Sequence, residues 1–260
     1  MSIMAETRIV ALIPARSGSQ RIAHKNIREL AGHPLLAYTI AAAKSSGIFA
    51  DVLVSTDSSH YQDIAEYYGA EVPVLRPQEM AQTLSPDIQW VQHLLGHLEN
   101  QGRRYSHFSI LRPTSPFRSA VTIQQAWHLF QSHPEADSLR AVERVGQHPG
   151  KMWVVRHQRL LPLLPLSPED KPWHSSQTQA LPEVYVQNAS LEMATSAVVK
   201  KGSIAGAVIV PFFSEGFTGV DVNTAKDWWY VEHLLSSKMV RLPEIEKISY
   251  FKNNAIKVGQ

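Results

Sequence analysis

"RIVALIPARSGSQRIAHKNI" (residues 8–27) decides how the chain is read. Ile9 to Ile13 are apolar on both alternating faces, the pattern of a strand covered by helices on its two sides. Such a strand belongs to a parallel sheet. The loop that follows then lies at the carboxyl edge of that sheet, where open α/β folds take their ligands. That loop is strongly cationic. Between Thr7 and Arg28 stand Arg8, Arg16, Arg21, Lys25 and Arg28, and no Asp or Glu.

Outward from this stretch, apolar runs alternate with helix-like segments. "PLLAYTIAAAKSSG" (34–47) predicts a helix opened by Pro34 and closed by Gly47. Strands are expected at 51–56, 71–75 and 107–113, and helices at 59–69, 85–100 and 120–133. This order predicts an α/β fold with a doubly wound, mostly parallel sheet. After about residue 137 the rhythm changes. "DSLRAVERV" and "KMWVVRHQ" read as strands, and 161–185, rich in Pro and polar residues, as a long loop. A strand at 205–212 and a helix at 224–237 return to the first pattern. We therefore expect one domain over 1–237 with an insertion at about 140–205, and a patternless tail at 238–260.

The cations are local. The 260 residues hold 25 Lys and Arg against 23 Asp and Glu, a net charge of only +2. A nucleic-acid or membrane binder carries a broader basic surface, so the expected partner is a small anion. There is no Cys, which excludes disulfides and thiolate chemistry and fits a reducing cytoplasm. The first residues, with Glu6 and a short apolar run, do not read as a signal peptide, and no run approaches a membrane span.

The loop matches neither standard phosphate signature. A dinucleotide fingerprint needs three glycines and a Walker loop needs G-x-x-x-x-G-K-[ST], but here only Gly18 is present. Gly18 is expected to allow a tight turn beside Ser19 so that backbone N–H groups face an anion. Arg16, Arg21 and Lys25 would add charge toward a polyphosphate.

At this point the sequence resembles a known family. "IPARSGSQRIAHKNIRELAGHPLLAYTI" is similar to the opening of the CMP-N-acylneuraminate synthetases, cytidylyltransferases of nine-carbon 2-keto sugar acids. Further similarities follow in order: "VLVSTD" (52–57), "VLRPQEMAQTLSPDIQWVQHLL" (74–95), "ILRPTSPFRS" (110–119), the looser "HPGKMWVV" (148–155) and "QALPEVYVQNASL" (179–191), and "GVDVNTAKDWWYVE" (219–232). The resemblance implies a nucleotide-diphospho-sugar-transferase fold, a homodimer formed through the insertion, and transfer of CMP from CTP to a sugar acid with Mg²⁺. It gives catalytic roles to Arg16, Lys25 and Asp221, and the metal to Asp221 with Asn223. It places Asn26, Arg76 and Asp87 near the cytidine, and Arg112, Gln179 and Asn188 near the sugar acid.

Several of these residues also have plain structural readings. Asp57 with Ser58 reads as a helix cap, Arg76-Pro77 as a turn, and Asp87 as a first-turn acid facing the helix dipole. His93 and His97 stand at i, i+4 without an evident third metal ligand. Trp228 and Trp229 are expected to pack the last helix. The sequence also departs from the family pattern. Gln20 stands where Lys is common, and Asn223 replaces a second Asp. Arg112 stands where Gln is more usual. "YVQNASLEM" (185–193) replaces a usual R-P-N-G-A-I-Y pattern, so Val186 takes the place of an Arg. Arg112 is expected to supply that lost cation to the sugar carboxylate. These departures keep open a legionaminic, pseudaminic or octulosonate substrate, or a protein that binds CTP without turnover. A dinucleotide oxidoreductase is opposed by the missing glycines.

Overall fold

The computed structural model describes residues 7–164 and 172–253. The chain forms two compact units: residues 1–141 with 188–260, and residues 142–187. A six-stranded sheet, most of whose residues lie in the first, has the order β8-β4-β7-β3-β1-β2. Its strands are β1 (Ile9–Pro14), β2 (Asp51–Ser55), β3 (His107–Ile110), β4 (Ser138–Arg144), β7 (Tyr185–Thr195) and β8 (Ile209–Phe213). β1 is parallel to both β2 and β3, with Leu12 facing Leu53 on one side and Ile110 on the other. β7 is antiparallel to β3, with Ile110 opposite Glu192.

The alternation in β1 sorts the core into two layers. Val10 and Leu12 pack with Trp90, Val91, Leu94 and Leu98 of α3 (Asp87–Asn100) and with Val198 and Val199 of α5 (Ser196–Lys200). Ile9, Ala11 and Ile13 face the other way, into a cluster built with α1 (Leu35–Ser46), α2 (Ser59–Tyr67) and α4 (Ala120–Gln131). α1 is buried nearly all round, because its far side, through Leu35 and Tyr38, meets Trp228, Val231 and Leu234 of α6 (Ala225–Ser236). It ends where Gly47 turns left-handed at φ 67°. Pro34 stands just before the helix rather than in its first turn.

Three expectations change. Residues 71–75 make no full strand: Glu71 forms one bridge to Leu53, and Pro73, which has no N–H, ends the pairing. Residues 238–253 are patternless in sequence yet packed. Val240, Leu242 and Ile245 join the α1–α6 cluster, and Tyr67 Oη donates to the Ile248 carbonyl at 2.9 Å. Trp228 is 3% exposed, but its neighbour Trp229 is 63% exposed and stacks on His233. Adjacent residues lie about 100° apart on a helix, so only one of the two can face the core.

The second unit carries a two-stranded antiparallel ribbon, β5 (Trp153–Arg156) and β6 (Arg159–Pro162). His157 and Gln158 both have positive φ, as a two-residue hairpin of this hand requires. Gln179 lies in this unit on an exposed 3₁₀ turn, Thr178–Ala180. Part of the sequence read as a long loop, 165–171, lies outside the described residues.

Candidate active site

The carboxyl ends of β1, β2 and β3 share one edge of the sheet, and the loops that leave them enclose a cavity of about 470 Å³. That is within the roughly 300–1,000 Å³ typical of small-molecule sites. From the first loop come Arg16, Ser19, Arg21, Lys25 and Asn26; Arg76 and Asp87 face them from the second crossover. Arg112 enters from the loop after β3, and Asp221 and Asn223 from the segment before α6. Ten of the residues singled out from sequence therefore meet in one place. Gly18 and Asn188 do not line it. Asn188 sits on β7, where Nδ2 donates to Ser214 Oγ at 2.9 Å and Oδ1 accepts the Ser190 amide at 3.1 Å.

The basic loop is held by side chains more than by glycine. Ser19 N donates to the Ser17 carbonyl at 2.9 Å, a tight turn around Gly18. Gly18 is not left-handed, and a Cβ there would meet nothing, so the expected need for glycine is not what the backbone shows. The left-handed residue of the loop is His24, at φ 50°, just before the 3₁₀ turn Lys25–Ile27. Its Nδ1 lies 3.2 Å from Tyr61 Oη. Asn26, 5% exposed, donates Nδ2 to the Arg16 carbonyl at 3.1 Å and so ties the two halves of the loop together. Ser58 does cap α2, accepting the Tyr61 amide, but the neighbouring Asp57 does something else. It accepts both the amide and the hydroxyl of Ser17 and fastens the loop to the end of β2.

Charge is distributed unevenly around the cavity. Arg76 is 5% exposed; its guanidinium donates to Ser55 Oγ and to the Ser55 carbonyl and lies 4.9 Å over the Trp90 ring. Burial lowers its pKa to about 10. Lys25 Nζ donates to the Val222 carbonyl at 2.8 Å and to Asn223 Oδ1 at 3.1 Å. Burial pulls the Lys25 pKa down; nearby Arg21 and Arg16 act in the same direction, and Asp221 opposes them.

Asp221 and Asn223 lie in a loop rather than on a strand, but Val222 between them is fully buried and donates its amide to the Thr114 carbonyl. The flanking side chains consequently share one side, and Asn223 Nδ2 donates to Asp221 Oδ2. Asp221 Oδ1 is buried with no hydrogen-bond partner. Asp221 does not cap α6. Thr224 and Asp227 form that capping box.

A second set of charges lies beneath Arg112. Its Nη2 donates to Asp87 Oδ2 at 2.6 Å and to Glu192 Oε1 at 2.9 Å. Burial alone would raise the Asp87 carboxyl, but the Arg112 guanidinium holds it below its ordinary value. The fully buried Arg118 donates to the Arg112 carbonyl and to Thr39 Oγ1, which fixes the loop after β3. Asp57, Glu192 and Arg118 are the residues that reading the sequence for function missed. His93 and His97 stay on α3, with His97 Nε2 3.0 Å from Gln101 Nε2. Among the described residues no three His, Asp or Glu side chains converge to hold a metal by themselves.

The profile of the family described as Cytidylyltransferase matches residues 10–86. The chain is 32% identical over 230 residues to the CMP-N,N'-diacetyllegionaminic acid synthase of Legionella pneumophila, covering 88% of this chain and 96% of that protein. It is 42% identical over 138 residues to the N-acylneuraminate cytidylyltransferase of Escherichia coli, covering 53% of this chain but only 32% of that one. In fold it is similar to CMP:2-keto-3-deoxy-manno-octonic acid synthetase complexed with CTP, with a TM-score of 0.66 at 14% identity over 89% of this chain and all of that one. No helix among the described residues is long and apolar enough to cross a membrane.

Proposed function

The chain belongs to the cytidylyltransferase family of the N-acylneuraminate and legionaminic acid enzymes, and from that premise we propose that it transfers CMP from CTP to the anomeric hydroxyl of a nine-carbon 2-keto sugar acid. The observation that carries this reading is the cavity itself. Arg16, Arg21 and Lys25 meet there with Asp221, whose Oδ1 is buried and unpartnered. Cations on one wall suit the triphosphate. The sugar's anomeric hydroxyl gives its proton to solvent as its oxygen forms the new bond to the α-phosphorus, and the bond to pyrophosphate breaks. Charge moves onto the leaving group, where Arg16, Arg21 and Lys25 would receive it.

A divalent cation, Mg²⁺ by its preference for oxygen ligands, would draw charge from the phosphate oxygens when bound. The unpartnered Asp221 Oδ1 fits such an ion, and one carboxylate is enough where substrate phosphates complete the shell. Asn223 would add the carbonyl oxygen that now accepts Lys25. Asn26 and Arg76 are assigned to the cytidine, and Arg112 to the sugar acid.

The deciding experiment measures pyrophosphate release with CTP, Mg²⁺ and a panel of N-acetylneuraminic, N,N'-diacetyllegionaminic, pseudaminic and octulosonic acids. Release is expected with CTP and a nine-carbon acid, and not with ATP or GTP. Turnover of the octulosonate alone would move the substrate class. CTP binding without any turnover would make the protein a binder. We also assign residues 142–187 to a homodimer contact, since the ribbon leaves Val155 70% and Leu160 61% exposed in the single chain. Sedimentation giving a monomer would refute this. The cytoplasm, where CTP is made, is the proposed site of action.

A further inference from the structure

Arg112 is one link of a longer chain of charges. Trp90 Nε1 donates to Asp87 Oδ1 at 2.7 Å, and Asp87 Oδ2 accepts Arg112 at 2.6 Å. Arg112 then donates to Glu192 Oε1 at 2.9 Å, and Glu192 Oε2 lies 2.7 Å from Arg140 Nη1. Only Trp90, Asp87 and Arg112 line the cavity; Glu192, with its side chain 9% exposed, and Arg140 lie behind them. Two guanidinium groups and two carboxylates sum to zero charge.

This balance changes what Arg112 can recognise. A free carboxylate seeks a cation whose charge is not already matched, or several N–H donors. Arg112 touches two carboxylates before any substrate arrives. What remains is a guanidinium held in one orientation, able to donate hydrogen bonds without surplus charge. That suits a neutral acceptor such as a hydroxyl or the carbonyl of an acylamino group. Glu192 is the group that makes it so. It removes the surplus charge from behind, and its other oxygen is paired in charge with Arg140 without accepting a hydrogen bond.

We propose that Glu192 is a positioning residue that sets sugar selectivity, holding Arg112 as a charge-balanced donor for an uncharged substituent of the sugar acid rather than for its carboxylate. The proposal rests on the cytidylyltransferase reading of the cavity. It makes Glu192 act only through Arg112, which separates it from a residue that merely stabilises β7.

The test is steady-state kinetics with CTP and two acids, N-acetylneuraminic and N,N'-diacetyllegionaminic, on the full chain. The variants are Glu192→Gln, Glu192→Asp, Arg112→Gln and the Arg112→Gln/Glu192→Gln double variant, each with its melting temperature. Glu192→Gln should raise the sugar-acid KM roughly tenfold, as misplacing a positioned group does. It should also change the ratio of kcat/KM between the two acids and leave the KM for CTP within about twofold of wild type. Glu192→Asp, which keeps the charge, should recover most of the loss. The double variant should be no worse than Arg112→Gln alone. Equal rises in both KM values, an unchanged sugar KM in a folded Glu192→Gln, or additive losses in the double variant would overturn the proposal. If Glu192→Gln does not fold, Glu192→Asp carries the test through the same ratio of the two acids. Wild-type protein that releases no pyrophosphate with any sugar acid would sink the cytidylyltransferase reading, and the proposal with it.

Discussion

Asp57 holds Ser17 at two atoms: Oδ1 accepts its amide at 2.8 Å and Oδ2 its hydroxyl at 2.7 Å. The two residues are 40 positions apart. This pair fixes the start of the basic loop against the end of β2, so the loop's cations meet a ligand from a prepared position. A loop left to find that geometry would spend binding energy on ordering itself.

Asp57→Ala is therefore expected to raise the KM for CTP by roughly tenfold while leaving the fold intact. Ser17→Ala, which removes only the hydroxyl contact, should cost less. Isothermal titration with CTP checks both. Wild-type affinity in Asp57→Ala would reduce the pair to a surface hydrogen bond.

Arg16 is the first cation after β1, and it is oriented twice. Its Nη1 donates to the Ala81 carbonyl at 3.2 Å, and its own carbonyl accepts Asn26. A charge held this way loses little on meeting the transition state. Arg16→Ala should cost about 100-fold or more in kcat/KM, the scale seen when a preorganised charge contact is removed. Kinetics near wild type would assign Arg16 to an ordinary solvated loop.

Lys25 should give the enzyme an alkaline limb. Burial lowers its pKa from the ordinary 10.5, so the ammonium loses its proton earlier on the way up the pH scale. On the proposed phosphate role of Lys25 the charged form is the active one, so kcat/KM for CTP should fall as pH rises through that lowered value. Lys25→Arg, which keeps its charge above about pH 12, should erase the limb even if its overall rate is lower. A limb that survives in Lys25→Arg belongs to another group.

These residues also mark how far the sequence could be read. β1, its two-sided burial and the cationic loop were legible because they are local: an apolar run, then four cations without an acid. β7 was not. Its first residues, Tyr185 to Gln187, are exposed, and the pairing that makes it a central strand joins Phe108 to Ala194 across the chain. Asp57 reads as a cap because Ser58 beside it is one, while its true partner lies far upstream. Glu192 gives no local sign of function at all; Arg112 reaches it from 80 positions away. The Asp221–Asn223 spacing was readable. Its backbone is a loop pinned by Val222, which only the folded chain shows.

The metal prediction turns on that last pair. Asn223 uses both ends of its amide, accepting Lys25 at Oδ1 and donating Nδ2 to Asp221 Oδ2, which leaves Asp221 Oδ1 as the buried oxygen without a partner. A single carboxylate holds Mg²⁺ weakly unless phosphate oxygens join it. Mg²⁺ should therefore bind measurably only with CTP present, which titration calorimetry with and without CTP will show. Asp221→Asn should abolish most turnover while the melting temperature stays near wild type, since the carboxylate lies in a loop fixed by Val222 and Thr114. Asn223→Asp should be tolerated and should tighten Mg²⁺ binding in the CTP complex, because it adds a second negative oxygen on the same side. It would also exchange the Lys25 amide contact for an ion pair, raising the Lys25 pKa and moving the alkaline limb upward. Near-normal turnover of Asp221→Asn at low Mg²⁺ would make Asp221 a structural residue and leave the cation to the substrate phosphates alone.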